Sequence, residues 1–554
     1  MLVTGLLARS ALDRARDGVA QLRHDLLAGD VAAARRDLAG LQSDVASGHA
    51  RTSGPVWWAA AHVPWLGSPL NTTRALAEDG RLLADRALPQ ILDASVSLDP
   101  HELRVAPDQL DLTRLHAAQP SLLRALPIVA KVQQQVAATS GSWLGVVSHG
   151  RASLLSQLDS LASDLHDITV AVNLAPSMLG EQEERHYLVV FEGDTEARGV
   201  GGILGGYALL DASKGRMSFV HYGSDRDFNG AASGIDLGGA FDELYSGDQP
   251  YQLVQNVDLS PHFPYAAQIW SGMAQQIFGV PIDGVVAIDP EVLAKLLAVT
   301  GPVTLPDGTE LTSSNIVHEL DVDVYERFNY DFVARKAFFV DAAQAVVHAV
   351  FARPLDTQAL LNAFVQPVGQ RRLLVYSDVP AEEAQIADFA IGGVLPETTR
   401  PFVDVILNNA SATKLDGYLH ESVDYQRATC SAGPASVTIT VTNDAPATGL
   451  PSYVTDGLSW TGPHVPGADR LVVGLYGTHG SEQDTATIDG KPVYVATGEE
   501  RGHPVITTLI TIAPGQTRTV VFSVVEPQAT GPVLALRQPL ANEPTMKVDA
   551  PSCS

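Results

Sequence analysis

Apolar residues recur at helical spacing through the first third of the chain. Val19, Leu22 and Leu26 share one helical face, with charged residues between them. Asp30 follows a glycine and is suited to cap a second helix that carries Leu38 on its apolar face. Similar patterns recur near residues 73–94, 110–138 and 153–173. The spacing therefore predicts a helical region over residues 1–178.

The pattern changes after residue 180. Residues 187–191 form a short continuous apolar run, which is typical of a strand that is buried on both faces. A hairpin follows with its turn near Gly215, and helices are predicted at 266–278 and 290–298. Alternating strands and helices of this kind predict an α/β domain over residues 179–428.

The last part of the chain alternates apolar and polar residues with a period of two. Val437, Ile439 and Val441 alternate with threonines, and comparable strands recur at regular spacing up to residue 525. Short strands with regular turns predict an immunoglobulin-like antiparallel β-sandwich over residues 429–554. The expected fold class is thus multidomain α+β, with a helical region, an α/β domain and a β-sandwich in chain order.

Charge and cysteine content remove several classes of protein. Lys and Arg total 36 against 63 Asp and Glu, which gives a net charge of −27. Such a chain lacks the net basic face that nucleic-acid binding requires, and an anionic membrane would repel it as a whole. Two cysteines exclude a disulfide-rich scaffold and a Cys₄ zinc site. A single disulfide between Cys430 and Cys553 stays open at this stage.

The first eight residues are apolar and precede a polar amphipathic helix. No run approaches the ~18 apolar residues that a membrane-spanning helix needs. The segment is either the stub of a truncated membrane anchor or a frayed helical turn, and it lacks the pattern of a signal peptide.

The densest polar segment between strands is residues 192–202, which directly follows the predicted strand 187–191. Ligands in open α/β sheets bind beyond the carboxyl ends of strands, so Asp194 and Arg198 are candidate site residues. The segment is neither a dinucleotide fingerprint nor a phosphate-binding P-loop. A strained turn with one internal Asp–Arg pair is the alternative.

A second polar loop ends the predicted hairpin and contains Arg226 and Asp227. If the strand ends meet, two arginines and two carboxylates would suit a phosphate or pyrophosphate bound with Mg²⁺. Guanidinium binds phosphate oxygens bidentately, and Mg²⁺ prefers carboxylate and phosphate oxygens. We therefore predict Asp194 and Asp227 as metal ligands, and Asp194, Arg226 and Asp227 as catalytic residues. The alternative is a solvated surface turn.

Two further sets add candidate ligand-binding residues. Asp331 and Arg335 are four positions apart and share a helix face, although the same spacing suits an ordinary ion pair. Asn409 and Lys414 follow a predicted strand, where polar residues line clefts or form Asx turns.

Other enzyme templates are missing. The sequence contains no HExxH, CxxC or GxSxG motif, and its histidines lack metal-binding spacing. Glycoside hydrolysis stays open, because the separation of two carboxylates is decided in three dimensions.

Several segments together resemble the bacterial family known as domain of unknown function 4012. The resemblance covers nearly the whole chain after the helical region. The matching segments are residues 185–191, 196–198, 201–207, 263–267, 283–290, 300–303, 407–409, 413–416 and 501–505. The resemblance implies an extracytoplasmic, membrane-anchored protein of an actinobacterial or related cell envelope, with no assigned activity.

A more distant resemblance is to the LytR–CpsA–Psr phosphotransferases, which transfer glycopolymers from polyprenyl-pyrophosphate carriers to the cell wall. Asp194, Arg198, the Arg226-Asp227 pair and Asp331/Arg335 fall in the family's order. The Arg-Ser-Asp-Thr sequence before the hairpin and the arginine-glutamine ending of the later helix are missing. The resemblance implies a LytR–CpsA–Psr-like α/β domain. Because these two sequences are missing, it does not by itself imply transferase activity.

Three hypotheses follow. The first is a cell-envelope protein that binds a glycopolymer or its polyprenyl-pyrophosphate carrier without catalysis. The second is a Mg²⁺-dependent phosphotransferase that attaches glycopolymers to the cell wall, and the third is a glycoside hydrolase. All three require the candidate side chains to converge on one pocket above the central sheet.

Overall fold

A computed structural model describes residues 30–61, 63, 67–352, 355–457 and 465–553, together with residues 18, 21, 22 and 25. The predicted apolar stub at residues 1–8 lies outside the described residues. The chain forms two compact units. The helical unit comprises Met1–Glu184 with Ala212–Met217 and Asp356–Gln358, and the larger unit comprises Arg185–Asp211, Ser218–Leu355 and Ala359–Ser554.

The helices are numbered in chain order over the described residues. They are α1 Val31–Thr52, α2 Pro55–Ala61, α3 Ser68–Leu82, α4 Leu88–Ser97, α5 Pro100–Leu103, α6 Leu112–Ala138, α7 Gly145–Met178, α8 Gly239–Tyr245, α9 Phe263–Phe278, α10 Pro290–Thr300, α11 Ile316–His318, α12 Val324–Phe328, α13 Phe332–Phe351, α14 Thr357–Gly369, α15 Pro380–Ile386 and α16 Ser452–Thr455.

The strands are numbered in the same way. They are β1 Arg104–Ala106, β2 Gln109–Leu110, β3 Arg185–Arg198, β4 Gly201–Ser213, β5 Arg216–Ser224, β6 Gly284–Ile288, β7 Val303–Thr304, β8 Glu310–Leu311, β9 Leu373–Ser377, β10 Phe402–Asn409, β11 Leu419–Arg427, β12 Gly433–Asn443, β13 Asp469–Tyr476, β14 Glu482–Ile488, β15 Lys491–Pro492, β16 Ala496–Glu500, β17 His503–Ile512, β18 Thr517–Glu526, β19 Leu534–Ala535 and β20 Thr545–Asp549.

The helical unit confirms the predicted N-terminal helical region. Asp30 caps α1 by accepting a hydrogen bond from the Ala33 backbone N–H at 2.8 Å, as its position after a helix break predicts. A π-helical turn, Leu83–Ala87, joins α3 to α4. One apolar core runs through the unit and includes Leu38 and Val129. Within the described part of the chain, no helix is both long and apolar enough to cross a bilayer.

The larger unit contains a mixed sheet in which β5, β4, β3, β6 and β9 are neighbours in that order. β3 and β6 run parallel, whereas β9 runs antiparallel to β6. Leu188 and Val190 of β3 face a core formed with α9, while Val189 and Phe191 face a second core formed with α10 and α13. The continuous apolar run thus belongs to a strand that is covered by helices on both faces.

The C-terminal part of the larger unit contains two sheets around a common core. One sheet has the order β16-β17-β13-β10-β19 and the other β15-β14-β18-β12-β11-β20. Val405 of β10, Tyr425 of β11 and Phe522 of β18 are among the residues buried between them.

The predicted boundary at residue 428 differs from this arrangement. Before that residue, β10 pairs with β13 and β11 pairs with β12, so both strands belong to the C-terminal sheets rather than to the α/β sheet. Residues 402–407 are mostly apolar, and a local apolar run does not specify the strand with which it pairs.

A disulfide links Cys430, which follows β11, to Cys553 near the C-terminus, over a sequence separation of 123 residues. It fastens the chain end that carries β20, which pairs in parallel with β11. The structure therefore resolves the alternative that the sequence left open.

Two carboxyl groups are buried in this part of the chain. Asp404 is fully buried and its nearest cationic atom is Arg371 Nη1, at 3.7 Å. Burial raises the pKa of Asp404 to about 7, against the opposing charge of Arg371. Burial, reinforced by the charge of Asp404, raises the pKa of Glu421 to about 8.

We expect replacement of both cysteines by alanine to lower stability by about 4 kcal/mol, because the link restricts a long loop in the unfolded chain. Scanning calorimetry should show the transition of the C-terminal sheets at a lower temperature. Reductant should reproduce this shift in the native protein and leave the double variant unchanged. Equal transitions for both proteins would contradict the expectation.

The buried carboxyls also predict a pH dependence. Their pKa values are raised on folding, so their contribution to stability is complete below pH ~4 and is lost as the pH rises through about 7 for Asp404 and about 8 for Glu421. In this pH window the unfolding free energy of the native protein should fall with rising pH. Glu421→Gln should make this fall less steep by up to about 1.4 kcal/mol per pH unit, which is the contribution of one proton. The comparison is between unfolding profiles at pH ~5 to ~8.5. Glu482→Gln, at an exposed site on β14, should leave the profile unchanged.

Candidate functional site

A cavity of about 930 Å³ opens in the larger unit beside the carboxyl-terminal half of β3. Its walls come from β3, β4, α10, α13, α16 and the turn that follows β5. Six of the eight predicted site residues line it, namely Arg198, Arg226, Asp331, Arg335, Asn409 and Lys414. Asp194 and Asp227 are not among the lining residues.

Glycines keep the floor of this cavity open. Gly193, Gly205 and Gly206 line it from β3 and β4. A Cβ atom on Gly205 would lie 3.5 Å from the nearest atom, the Phe191 carbonyl oxygen, which is an ordinary contact. A side chain at residue 205 would therefore not clash with the backbone, and it would occupy part of the cavity.

Other glycines of the polar segment serve close packing. A Cβ on Gly202 would lie 2.1 Å from the Gly193 carbonyl oxygen, and one on Gly199 would lie 2.4 Å from the Ser260 carbonyl carbon. These two positions exclude any larger residue. Both glycines therefore serve backbone packing, and neither lines the cavity.

The guanidinium of Arg198 is committed to the protein itself. It is buried and donates to the carbonyl oxygens of Gln255 at 2.9 Å, Ala197 at 2.9 Å and Asn409 at 3.0 Å. It also donates to Asn256 Oδ1 at 3.3 Å. Arg198 therefore stabilises the junction of β3 and β10 and has little donor capacity left for a ligand.

Lys414 forms a buried ion pair with Glu196, whose other oxygen lies 3.7 Å from Arg198. Burial alone raises the pKa of Glu196, but the charges of Lys414 and Arg198 outweigh it, so its pKa lies below the ordinary value. Burial lowers the pKa of Lys414, yet Glu196 outweighs that effect and the pKa is raised. Both groups are thus charged at neutral pH.

Asn409 organises the loop before Lys414. Its Nδ2 donates to Asp416 Oδ1 at 3.0 Å, and its Oδ1 accepts from the backbone N–H groups of Ser411 at 3.0 Å and Ala412 at 2.7 Å. This is the Asx turn that the sequence left as an alternative to ligand binding.

Arg335 is buried among aromatic rings. Its guanidinium carbon lies 3.8 Å from the ring centroid of Tyr453 and 5.0 Å from that of Phe332, and Nη1 donates to the Asn329 carbonyl. Asp331 instead caps α13 by accepting from the Ala334 N–H at 3.1 Å. The structure describes both Asp331 and Arg335, and no ion pair joins them.

Arg226 and Asp227 lie in a short 3₁₀ turn, Asp225–Phe228, that follows β5. Asp227 caps this turn, since its Oδ2 accepts from the Ser224 N–H at 3.1 Å and from the Tyr207 hydroxyl at 3.1 Å. The side chain of Arg226 is exposed on the cavity wall. Within the described residues its guanidinium has no hydrogen bond or ion pair.

Lys336 is a cavity cation that the sequence analysis did not select. Its Nζ lies 2.9 Å from Asp225 Oδ1, and it donates to the Gly205 carbonyl oxygen at 3.4 Å. Burial lowers its pKa, against the opposing charge of Asp225. Its position next to Arg335 on a helix was the only local signal for it.

Asp194 and Asp289 are buried, and the half-buried Asp321 completes an acidic group with them. Arg372 Nη1 is hydrogen-bonded to Asp289 and lies 3.8 Å from Asp194 Oδ2. Burial and the charge of Asp289 raise the pKa of Asp194 to about 6, against the opposing charge of Arg372. Burial and the neighbouring Asp194 raise the pKa of Asp321 well above its ordinary value.

The sequence analysis missed Asp289, Asp321 and Arg372. Asp289 carried a signal, because an Asp directly before a Pro is suited to cap a helix, and Asp289 does cap α10. Asp321 and Arg372 lie far from Asp194 along the chain, so only the fold joins them.

These positions do not fit the predicted Mg²⁺ site. Asp194 already has Arg372 as its cation, and Asp227 is occupied by capping the 3₁₀ turn. No group of three or more His, Cys, Asp or Glu residues in the described ranges is arranged to hold a metal ion. We therefore derive no step through a metal.

Aromatic and aliphatic side chains form the outer wall of the cavity. Tyr330, Phe332 and Val333 precede or begin α13, line the cavity and are largely exposed. Tyr453 packs edge-on against Tyr330 at 5.6 Å and against Phe332 at 5.3 Å between ring centroids. The cavity thus combines an apolar outer wall with one exposed arginine.

We expect Lys414→Met to destabilise the protein by about 3 to 5 kcal/mol, because it leaves Glu196 buried without its main counter-charge. The double variant Lys414→Met/Glu196→Gln should regain most of this loss. Calorimetric unfolding of both variants measures the difference, and Arg226→Ala serves as a control that should change stability by less than about 0.5 kcal/mol. A fully stable Lys414→Met variant would show that the pair is dispensable for folding.

A comparison with curated proteins finds no match to this chain. The X-ray structure of the Lin1025 protein from Listeria innocua aligns over 41% of this chain and 86% of its own, with 11% identity and a TM-score of 0.20. That TM-score is too low to support an argument.

Residues 182–325 match the model of a family described as "Protein of unknown function (DUF4012)". This range contains the six segments from residue 185 to residue 303 on which the resemblance was based, whereas residues 407–409, 413–416 and 501–505 lie outside it. The resemblance to the DUF4012 family is therefore confirmed, and it covers the region that supplies β3, β4 and α10 to the cavity.

Proposed function

We propose that the cavity binds an anionic, amphiphilic ligand of the cell envelope, namely the phosphate end of a polyprenyl carrier or of a glycopolymer attached to it. In this proposal the chain is an extracytoplasmic binding protein rather than a transferase. The anion contacts Arg226, and the hydrocarbon lies along the aromatic wall.

The exposed guanidinium of Arg226 carries the proposal. Arg198 and Lys414 are already neutralised or saturated by buried partners, whereas Arg226 lines the same cavity with no partner among the described residues. A guanidinium in this position offers a planar pair of donors that matches two phosphate oxygens. Lys336 lies on the cavity wall as a second cation, shared with Asp225.

The apolar wall supports an amphiphile over a free anion. Tyr330, Phe332 and Val333 keep 52%, 44% and 68% of their surface exposed beside the cavity. Exposed apolar side chains in one patch are typical of a surface that contacts hydrocarbon or another apolar partner. Farnesyl and longer prenyl chains are hydrocarbons that suit such a surface.

The disulfide supports a location outside the cytoplasm. Structural disulfides persist in oxidising compartments and are rare where thiols are kept reduced. Cys430 and Cys553 are the two cysteines of the chain and both are in this bond. The DUF4012 resemblance implies the same location and a membrane anchor.

Binding is favoured over phosphoryl transfer by the state of the predicted catalytic set. Asp194 is buried with Arg372 and Asp227 caps a turn, and Arg198, a predicted ligand-binding residue, donates its hydrogen bonds to carbonyl oxygens. Phosphoryl transfer depends on positioned cations at the reacting phosphate, and of the predicted catalytic residues only Arg226 has a free side chain on the cavity wall.

Isothermal titration with farnesyl pyrophosphate tests the proposal. Arg226→Ala should weaken binding at least about tenfold, since a charge-assisted hydrogen-bond pair is lost. Arg537→Ala is the matched control, because Arg537 is also an exposed arginine but lines a different cavity.

A second variant tests the apolar and spatial part of the site. Gly205→Leu should reduce binding while leaving the unfolding temperature close to that of the native protein, because the added side chain projects into the cavity. Unchanged affinity in both Arg226→Ala and Gly205→Leu would overturn the proposal. Metal-dependent turnover of farnesyl pyrophosphate that Arg226→Ala abolishes would instead establish the transferase alternative.

One observation favours glycan hydrolysis as a second candidate. Glu192 and Asp321 both line the cavity, and burial with neighbouring carboxylates raises both pKa values well above the ordinary range. A carboxyl group whose pKa is raised is better suited to donate a proton as a general acid. Release of reducing sugar from envelope glycan, lost in Glu192→Gln and in Asp321→Asn, would support this function over binding alone.

A further inference from the structure

Acidic residues are distributed unevenly in this strongly acidic chain. The net charge is −27, yet residues 45–77 and 112–158 contain no Asp or Glu. Both stretches belong to the helical unit and include Arg51, Arg74 and Arg151. The overall charge, which argues against contact with an anionic surface, therefore does not describe these two stretches.

The fold brings the two acid-free stretches together at one end of the helical unit. The Ser68 hydroxyl donates to the Gly141 carbonyl oxygen at 3.4 Å, and the Thr72 hydroxyl donates to the Ser140 carbonyl oxygen at 3.1 Å. These contacts join the start of α3 to the loop between α6 and α7.

Helix α2 lies at the same end. The Trp57 indole N–H donates to the Leu70 carbonyl oxygen at 3.2 Å, which fixes α2 against the first turn of α3. Arg151 of α7 donates to the carbonyl oxygens of Val136 at 3.0 Å and Ala137 at 2.6 Å, at the end of α6. One end of the unit is thus assembled from segments without a carboxylate.

Large apolar side chains are exposed at this end. Trp143 and Trp58 keep 63% and 52% of their surface exposed, and Val63, Leu144 and Val146 keep 44%, 42% and 54%. We call these five residues the tryptophan end. Such a group of exposed apolar residues is unusual on a soluble surface and marks an interaction site.

We propose that the tryptophan end docks onto the surface of an anionic lipid bilayer. Tryptophan is enriched at membrane–water interfaces, where the ring enters the headgroup region and the indole N–H stays hydrated. Arginines beside it gain from the negative surface potential, which contributes about 1 kcal/mol for each cation near the surface.

Charge complementarity selects this occupant. A second copy that docked end to end would bring its own Arg51 and Arg74 against the same arginines of the first. Its acidic residues could approach these arginines only from other surfaces of the chain. The arginines beside two tryptophan ends would repel each other, whereas a phospholipid bilayer supplies negative headgroups and an apolar layer beneath them.

The proposal is independent of the function proposed for the cavity, because it rests on residues of the helical unit. Sedimentation of the full chain with vesicles of mixed phosphatidylglycerol and phosphatidylcholine tests it against vesicles of phosphatidylcholine alone. We expect binding to the mixed vesicles that falls as salt is added, and weak binding to the neutral ones.

Three variants sharpen this test. Trp143→Ser/Leu144→Ser should weaken binding to the mixed vesicles about tenfold or more, because the buried apolar area is lost. Arg51→Glu should weaken it about fivefold or more at low salt. Ile168→Ser is the matched control: Ile168 is an exposed apolar residue of the same helix α7 but directly follows Asp167 and lies four positions after Asp164.

Native unfolding temperatures for all variants would show that they fold. The proposal is overturned by equal binding to neutral and anionic vesicles, or by an equal loss with Ile168→Ser. It is also overturned if the protein binds neither kind of vesicle, and concentration-dependent self-association through the tryptophan end would then identify a second copy as its occupant.

Discussion

The buried ion pair between Glu196 and Lys414 is the interaction on which the larger unit depends. Glu196 lies near the end of β3, a strand of the α/β sheet, and Lys414 lies in the loop that follows β10 of the C-terminal sheets. The neighbouring Asp416 accepts the Ala197 backbone N–H at 2.5 Å and strengthens the same junction. A charge buried there is tolerable only with its partner, so the two sheet systems form one compact unit.

This junction also decides the chemistry of the cavity. The sequence analysis predicted Arg198 and Lys414 as ligand-binding residues. At the junction, Arg198 instead donates to carbonyl oxygens and Lys414 neutralises Glu196. Arg335 is held between aromatic rings, and Arg226 is left on the wall with an unused guanidinium. The cavity therefore has one exposed arginine beside an apolar wall, a combination that suits an amphiphilic anion better than a metal-assisted reaction.

Local patterns predicted most elements and the N-terminal cap of α1. The helical region, the strand β3 buried on both faces, and Asp30 as a helix cap follow from spacing within a few residues, and the structure contains all of them. The pairing of β10 could not be predicted, because an apolar strand of that length is compatible with either sheet. The same limit applies to Asp321 and Arg372, whose closeness to Asp194 arises from the packing of distant segments.

The sequence by itself determined the periodicities, the family resemblance, the net charge and the identity of the polar residues near the strand ends. These are properties of short segments, where backbone propensity and side-chain spacing act over a few residues. Only the tertiary structure decided which of those polar residues are neutralised in the interior and which face a cavity. Solvation and Coulomb energies depend on burial and on neighbours far along the chain, so the roles of Lys414 and Arg226 diverge although their sequence contexts are alike.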